Sequence, residues 1–422
     1  MAEANYLSDD FLRQLTAAGE ADILVAVPTS NNRHTIEQVA KAVVAGLVKY
    51  YPRERAAIVN PDASSRDGTA EALKQASQSA LQENISATVL RSIPALIASY
   101  PPGQGQGGAL RLVLAAADLL RAKACVILSP GVTNITPEWI DALVRPIYRE
   151  KFDFLTPLYQ RSASEGLLVR NVLAPLVRAA YGLRIEEPAS EEAGFSGATA
   201  CHLLAQDVWG SEILRHGAAT WMTTTVLAGN FRVCQSYLGP KITSEKRTGS
   251  GLVGAIQHSL GALFESLEAH QEIWPHLTGS RAAPAFGVPP DAGLEPARIS
   301  GRQMFEMFRK GTREISSILE LILAAPTLEG VRGVAAGDDH CNFPDALWVK
   351  TVYDFAVSFH RRVISRDHLL QAFAPLYRGR VSSFLLENQQ TNAEGLAQRT
   401  EALQLEFERM KPYLVEGWCG KV

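Results

Sequence analysis

Cysteine is scarce in this 422-residue chain, and the five present (Cys125, Cys201, Cys234, Cys341 and Cys419) are scattered, odd in number and never spaced as CxxC. That pattern excludes a disulfide framework and a paired-cysteine zinc site, and it reads as reduced thiols in a cytoplasmic protein. Long apolar runs are missing too: none approaches the ~18 residues that a membrane-spanning helix requires. The acidic N-terminal MAEANYLSDDFLRQL lacks the basic and then apolar regions of a secretory signal. Without secretion, Asn84-Ile85-Ser86 and Asn134-Ile135-Thr136 carry no glycosylation meaning. Charge of one sign is also absent, and a formal net charge of -3 gives no general reason to bind nucleic acid or an anionic membrane. His202, His216, His340, His360 and His368 lack ligand spacing such as HExxH and read as ordinary surface or core histidines. Ser196 in GFSG lacks the G-x-S-x-G context of a nucleophile elbow.

What is present is enough to bury a large core. At 46% hydrophobic and 20% charged, the chain fits one large domain plus a smaller one. Its first 160 residues alternate strand-like and helix-like segments. Asp22 to Pro28 is a short β-branched run ended by proline, and Thr35 to Lys49 repeats apolar residues at helical spacing. Ala56 to Asn60 reads as a second strand, followed by turn-forming Asp62 to Thr69; Ala87 to Arg91 reads as a third strand. A glycine-rich loop then precedes a helix over Ala109 to Ala122. Repeated βα units predict a mainly parallel, doubly wound α/β sheet with ligands at the carboxyl ends of its strands.

The segment CVILSPGVTNITPEW, residues 125 to 139, combines a buried strand with a loop opened by Ser129, Pro130 and Gly131. Thr136-Pro137-Glu138 then reads as the start of a helix, with threonine as N-cap and proline at the first helical position. Together with VAVPTSNNRHTI, VNPDASSRDGTAEAL and PPGQGQGGALRLVL, it resembles, in order and spacing, the four nucleotide-sugar loops of GT-A glycosyltransferases. The resemblance is to the family 2-like mannosylglycerate, glucosylglycerate and glucosyl-3-phosphoglycerate synthases. It extends to GLRIEEPASEEAGFSG, similar to an acceptor-side Pro-x-Gly-Gly-Glu segment, and to GAATWMTTTVLAGNFRVCQ, similar to Gly-Ile-Asp-x-Trp-x-Thr-Thr. It reaches Cys341-Asn342-Phe343-Pro344-Asp345 and the helices beyond.

The resemblance implies a GT-A fold holding a UDP-, GDP- or ADP-hexose at Pro28, Thr29, Asn31, Asp62, Gly103, Gln104, Gly105, Ser129 and Gly131. A small acidic acceptor would meet Glu191, Glu192, Trp221, Thr223 and Asn342, with Asp345 a weaker nominee. Asp62 reads equally as an acceptor for a base N–H and as the cap of its own turn. The Mg²⁺ or Mn²⁺ that usually stabilises a leaving diphosphate would have its two aspartates at Ser129 and Gly131 and its histidine at Thr243, all replaced here. Gln104 stands where a phosphate-facing lysine is expected, Gln106 at an acidic position, and Ala219 where an aspartate is expected. Ser190 and Glu191 fill the Gly-Gly positions. The catalytic candidates are Glu192, Lys246 and Arg247, the last two as cations able to neutralise a diphosphate, or else as charges on an exposed loop.

Two further features have bland alternatives. The run from Pro101 to Gly108 either cradles phosphate on backbone N–H groups or is a surface loop. Glu186, Glu187, Glu191 and Glu192 either hold a cation or form a solvated loop, the latter being the expectation. GQGQGG follows a later strand, so it is not a Rossmann fingerprint. The expected organisation is a GT-A domain over 1–275, a Pro/Gly/Ala-rich connection over 276–302 and an α-helical C-terminal subdomain over 303–422. The functional expectation is hexose transfer to glycerate, phosphoglycerate or a similar acceptor, with metal-independent transfer and a homodimer among the alternatives that the sequence leaves open. The alternative is a degenerate homologue that binds a nucleotide sugar or a protein partner without turnover.

Overall fold

The computed structural model describes residues 6–84, 92–244, 251–289, 299–337 and 341–420. It forms two compact units, one of 1–159, 190–246 and 283–290, the other of 160–189, 247–282 and 291–422. Residues 160–189 and 251–282 cluster with the C-terminal helices in the second unit.

The chain begins α1 (Asp9–Ala18), β1 (Ile23–Ala26), α2 (Ile36–Tyr50), β2 (Ala56–Asp62), α3 (Thr69–Asn84) and β3 (Ala95–Ser99). It continues α4 (Gly105–Leu119), β4 (Ala124–Ile127), α5 (Pro137–Tyr148), β5 (Phe154–Gln160), α6 (Ala174–Tyr181), β6 (Leu183–Arg184) and β7 (Ala193–Ser196). Next come α7 (Gly197–Leu204), α8 (Glu212–Ala228), β8 (Val233–Pro240), α9 (Gly251–Ala255), α10 (Gly261–Ala269), β9 (Arg281–Ala282) and β10 (Ala285–Phe286). The tail is helical: α11 (Gly301–Glu314), α12 (Ser316–Ile322), α13 (Ala325–Ala336), α14 (Asp345–His360), α15 (Arg366–Glu387), α16 (Ala393–Arg409) and α17 (Lys411–Cys419).

In the first unit, eight strands form one sheet in the order β10-β8-β5-β7-β4-β1-β2-β3. β1 pairs in parallel with both β2 and β4, with Ile23 opposite Ala56 and Ala124, while β7 runs antiparallel between β4 and β5. Every residue of β1, β2 and β4 is buried. That is why Ile23-Leu24-Val25-Ala26 reads as a continuous apolar run and not as an alternating one. Val39, Val43 and Leu47 of α2 and Ile140, Leu143 and Val144 of α5 close one face into a core. This is the mainly parallel α/β architecture expected, followed by the expected helical region. The third described strand is β3 at Ala95–Ser99; the expected strand at Ala87 to Arg91 lies outside the described residues. Among the described residues β3 is an edge, and the Gln14 side chain of α1 bonds both its Ile97 carbonyl, at 3.1 Å, and its Ile97 N–H, at 2.9 Å. The connection at 276–302 is not plain coil: it holds β9 and β10, the latter paired in parallel with β8.

The second unit is organised by buried cations. Arg380 is fully buried, donates from Nε to Asn171 Oδ1 at 2.9 Å, and pairs with Asp345 at 3.0 Å. Arg178, also buried, meets Glu401 at 2.7 Å and Glu408 at 2.9 Å. A buried charge stripped of its partner is costly, so these networks fix the packing of 160–189 on the tail helices. Among the described residues no helix is long and apolar enough to cross a membrane.

Candidate functional site

The strand order reverses at β1, because β2 and β3 lie on one side of it and β4 on the other. A parallel sheet opens a crevice at such a switch point, beyond the carboxyl ends of the two strands. A cavity of about 370 Å³ occupies this place in the first unit. Pro28 and Thr29 reach it from the end of β1, and Leu128, Ser129, Pro130 and Gly131 from the end of β4. Its other walls are the start of α4 and the first half of α8.

Helical geometry selects which residues of those walls face inward. Arg215, Ala218, Ala219 and Met222 line the cavity from α8 at the i, i+3, i+4, i+7 spacing of one helix face. The stripe persists across a break at Gly217, whose φ of -112° and ψ of 19° are not helical. Trp221, off this stripe, is buried and packs edge to face on Trp209 with centroids 5.9 Å apart; Thr223 is buried as well. The helix therefore presents Met222 and Ala219 to the cavity in place of the expected Trp221 and Thr223.

The glycine-rich run is not a loop over most of its length. Pro102–Gln104 make one 3₁₀ turn, and α4 begins at Gly105. Gly105, with φ +56°, lies so close to the Arg215 carbonyl that a Cβ there would fall well inside the 3.0 Å that real Cβ atoms keep. A Cβ on Gly107 would stand 2.7 Å from Leu214 Cβ and 3.0 Å from the Leu214 carbonyl oxygen. Two of the glycines are thus required for α4 to seat on α8, whereas a methyl group added at Gly103 would meet nothing within 4 Å. Gly105 and Gln106 line the cavity, and Gln104 is exposed beside them.

The segment after β4 is stapled to the end of β8. Thr133 N donates to the Ile242 carbonyl at 2.9 Å, Ser244 N to the Gly131 carbonyl at 3.0 Å, and Val132 forms an antiparallel bridge with Thr243. Asn134 completes the staple, bonding the Pro240 carbonyl and Ile242 N–H. Positions 129, 131 and 243, widely separated in sequence, are therefore brought together. A Cβ built on Gly131 would meet only Ser244 Oγ at 3.9 Å and Ser129 Oγ at 4.0 Å, and His34 Nε2 lies 3.2 Å from Ser244 Oγ. Hydroxyls and one imidazole are a poor match for a hard divalent cation, which favours carboxylate and carbonyl oxygens. Among the described residues no group of three or more His, Cys, Asp or Glu is assembled to hold a metal. The Mg²⁺ or Mn²⁺ site of the Asp-x-Asp type does not fit these side chains.

The other expected site residues fall into distinct surroundings. Asp62 is buried; Oδ1 accepts from Thr29 Oγ1 at 2.7 Å and Ser65 Oγ at 2.6 Å, and Oδ2 accepts from Ser65 N at 2.8 Å. It caps its own turn and ties β1 to β2. Asn31, with φ +56°, donates its N–H to Ser65 Oγ and accepts from Arg66 N, stitching the same two loops. Tyr100 lines the cavity beside them, its hydroxyl pushed up to about 12 by burial and then by the charge of Asp62. Asn342 is exposed and belongs to the second unit, where Asp345 is held by Arg380 and Arg399.

The acidic cluster is a correction, because three of its four members are not solvated. Glu187 is buried against Arg161 in a bidentate pair at 2.6 and 2.8 Å, and Gln404 donates to Glu186 at 3.4 Å. Burial pushes the Glu186 carboxyl up. Glu192 is fully buried; its Oε2 accepts from Lys241 Nζ at 2.7 Å, from Tyr159 and from Ser190 Oγ at 3.1 Å. Burial works to raise this carboxyl, yet the Lys241 ammonium and then the Tyr159 hydroxyl hold it below its ordinary range. Only Glu191 is exposed, on the cavity rim. Lys246, Arg247 and His340 lie outside the described residues. No motif singles out Arg215, His34 or Met222 in the sequence, and His216, expected to be an ordinary histidine, lines the cavity.

No protein-family model matches this chain, and no curated protein matches its sequence. Among solved structures it is similar to the glucosyl-3-phosphoglycerate synthase of Mycobacterium tuberculosis in complex with Mn²⁺, UDP-glucose and phosphoglyceric acid. That match has 20% identity and a TM-score of 0.42, and it covers 60% of this chain and 83% of the other. The same enzyme in complex with UDP gives 21% identity and a TM-score of 0.41, over 61% and 83%. Function therefore has to be read from the side chains of the cavity.

Proposed function

We propose that the first unit binds a nucleotide-diphospho sugar, a UDP-, GDP- or ADP-hexose, in the cavity between the ends of β1 and β4, and that the chain is of glycosyltransferase type. One observation carries this reading: the loops read from sequence as nucleotide-sugar loops converge on the switch-point cavity, through Pro28, Thr29, Gly105, Ser129 and Gly131. A 370 Å³ cavity lined by a tyrosine, small apolar residues and a few polar groups suits a small organic ligand. The acceptor would be glycerate, phosphoglycerate or a similar small acid. Calorimetric titration of UDP-, GDP- and ADP-glucose, with and without Mn²⁺ or Mg²⁺, tests it. Binding of one nucleotide sugar supports the reading, and no binding under either condition ends it.

A second reading, binding without turnover, is favoured by one feature of the same site. Among the described residues, the cavity's single carboxylate is the exposed Glu191, and Glu192 is committed to a buried pair with Lys241. Hexose transfer to glycerate or 3-phosphoglycerate, followed by mass spectrometry, separates the two: product supports transfer, and binding without product supports the non-catalytic protein.

A further inference from the structure

We propose that Arg215 is the cation that receives the ligand's diphosphate, and that the cavity holds this diphosphate without a divalent ion; the proposal rests on the nucleotide-binding reading above. Ser129 and Gly131 bring no charge to the phosphate end, and Gln104 is neutral where a phosphate-facing lysine was expected. Arg215 reaches the same place from another element. Its stem lies against Gly105, the residue next to Gln104: a Cβ on Gly105 would stand 2.9 Å from Arg215 Cγ. The side chain, 47% exposed, lines the cavity.

The fold holds Arg215 in position. Gly105 allows the α4 backbone to touch the Arg215 carbonyl, and the break at Gly217 offsets the first turn of α8 from the rest of the helix. The only ion pair of Arg215 among the described residues is with Glu212, at 3.1 Å, one helical turn away and 75% exposed. Such an exposed pair is weak, so the guanidinium can exchange it for a phosphate, whose oxygens suit bidentate bonding. His216 lines the cavity next to it, and the exposed Glu191 is the opposing charge on the rim, where solvent screens it. A monovalent fixed cation supplies less charge than a metal ion but needs no assembled ligands.

The test uses the full chain and six probes: UDP, GDP and ADP with their nucleosides, titrated in EDTA and again with Mg²⁺. The diphosphate of the preferred base is expected to bind in EDTA, with affinity unchanged within about twofold by Mg²⁺. Arg215→Gln should weaken it by about tenfold to a hundredfold while leaving the nucleoside unchanged, and Arg215→Lys should recover part of the loss. Glu212→Gln, which releases Arg215, should tighten diphosphate binding about twofold. Diphosphate binding that requires Mg²⁺, or that Arg215→Gln leaves intact, overturns the proposal while the nucleotide-binding reading stands. Failure of every nucleotide to bind the unmodified chain removes both.

Discussion

Replacing Gly105 by alanine separates two explanations of the glycine-rich run. The new methyl group would collide with the Arg215 carbonyl oxygen, a backbone atom that cannot rotate away. Relieving such overpacking costs about 1–3 kcal/mol. The residue also holds φ +56° and ψ -148°, a region almost reserved for glycine, which adds about 1–3 kcal/mol. The sum, about 2–6 kcal/mol, is a large share of a typical folding free energy. With a urea m-value of about 2–3 kcal/mol/M, the midpoint of the first unit should fall by about 1–3 M. Gly103→Ala, two residues earlier, meets nothing within 4 Å and should stay within about 0.5 kcal/mol of the parent. Urea titrations followed by circular dichroism measure both. An unchanged midpoint for Gly105→Ala, or an equal fall for Gly103→Ala, refutes the view that the run exists to seat α4 on α8.

Three other expectations follow from the site and its supports. Ser129→Asp with Gly131→Asp places two carboxylates at the end of β4, where a Cβ on Gly131 has ordinary room, so calorimetry should show Mn²⁺-dependent nucleotide binding absent from the parent. Lys241→Met leaves the fully buried Glu192 carboxylate without its cation and should cost about 3–5 kcal/mol by denaturation, whereas adding Glu192→Leu should restore most of it. Burial lowers the His270 imidazole to about 4, so its neutral form is the folded one. Stability is full above the unfolded value near 6.5 and drains as pH falls toward about 4, by up to about 3 kcal/mol, and His270→Gln should flatten that window in pH-dependent melts.

The segment from Cys125 to Trp139 was legible because each step is local. A β-branched run makes β4, Ser129-Pro130-Gly131 ends it, and Thr136-Pro137 opens α5 with extended backbone at the cap. The tail helices were legible for the same reason, their apolar residues recurring at helical spacing. The burial of Glu187, Glu192 and Glu186 was not legible, since their partners Arg161, Lys241 and Gln404 stand 26, 49 and 218 residues away. An acidic run looks solvated until tertiary structure supplies its cations. The glycines misled in the opposite sense: a helix start crowded by another helix has the same composition as a loop that holds a phosphate. The stripe of Arg215, Ala218, Ala219 and Met222 was a signal in plain view, obscured because Trp221 and the threonines matched a family motif more strongly than they matched helical phase.

Gln14 bears on the behaviour of many copies of this chain. The exposed margin of a sheet is a template on which a foreign strand can grow, and β3 offers such a margin. By bonding both main-chain groups of Ile97, one side-chain amide imitates a residue of the strand that would come next. The opposite margin, β10, is only two residues long. A glutamine on the first helix therefore acts as a guard against runaway self-assembly, a task that concerns crowding and shelf life more than chemistry.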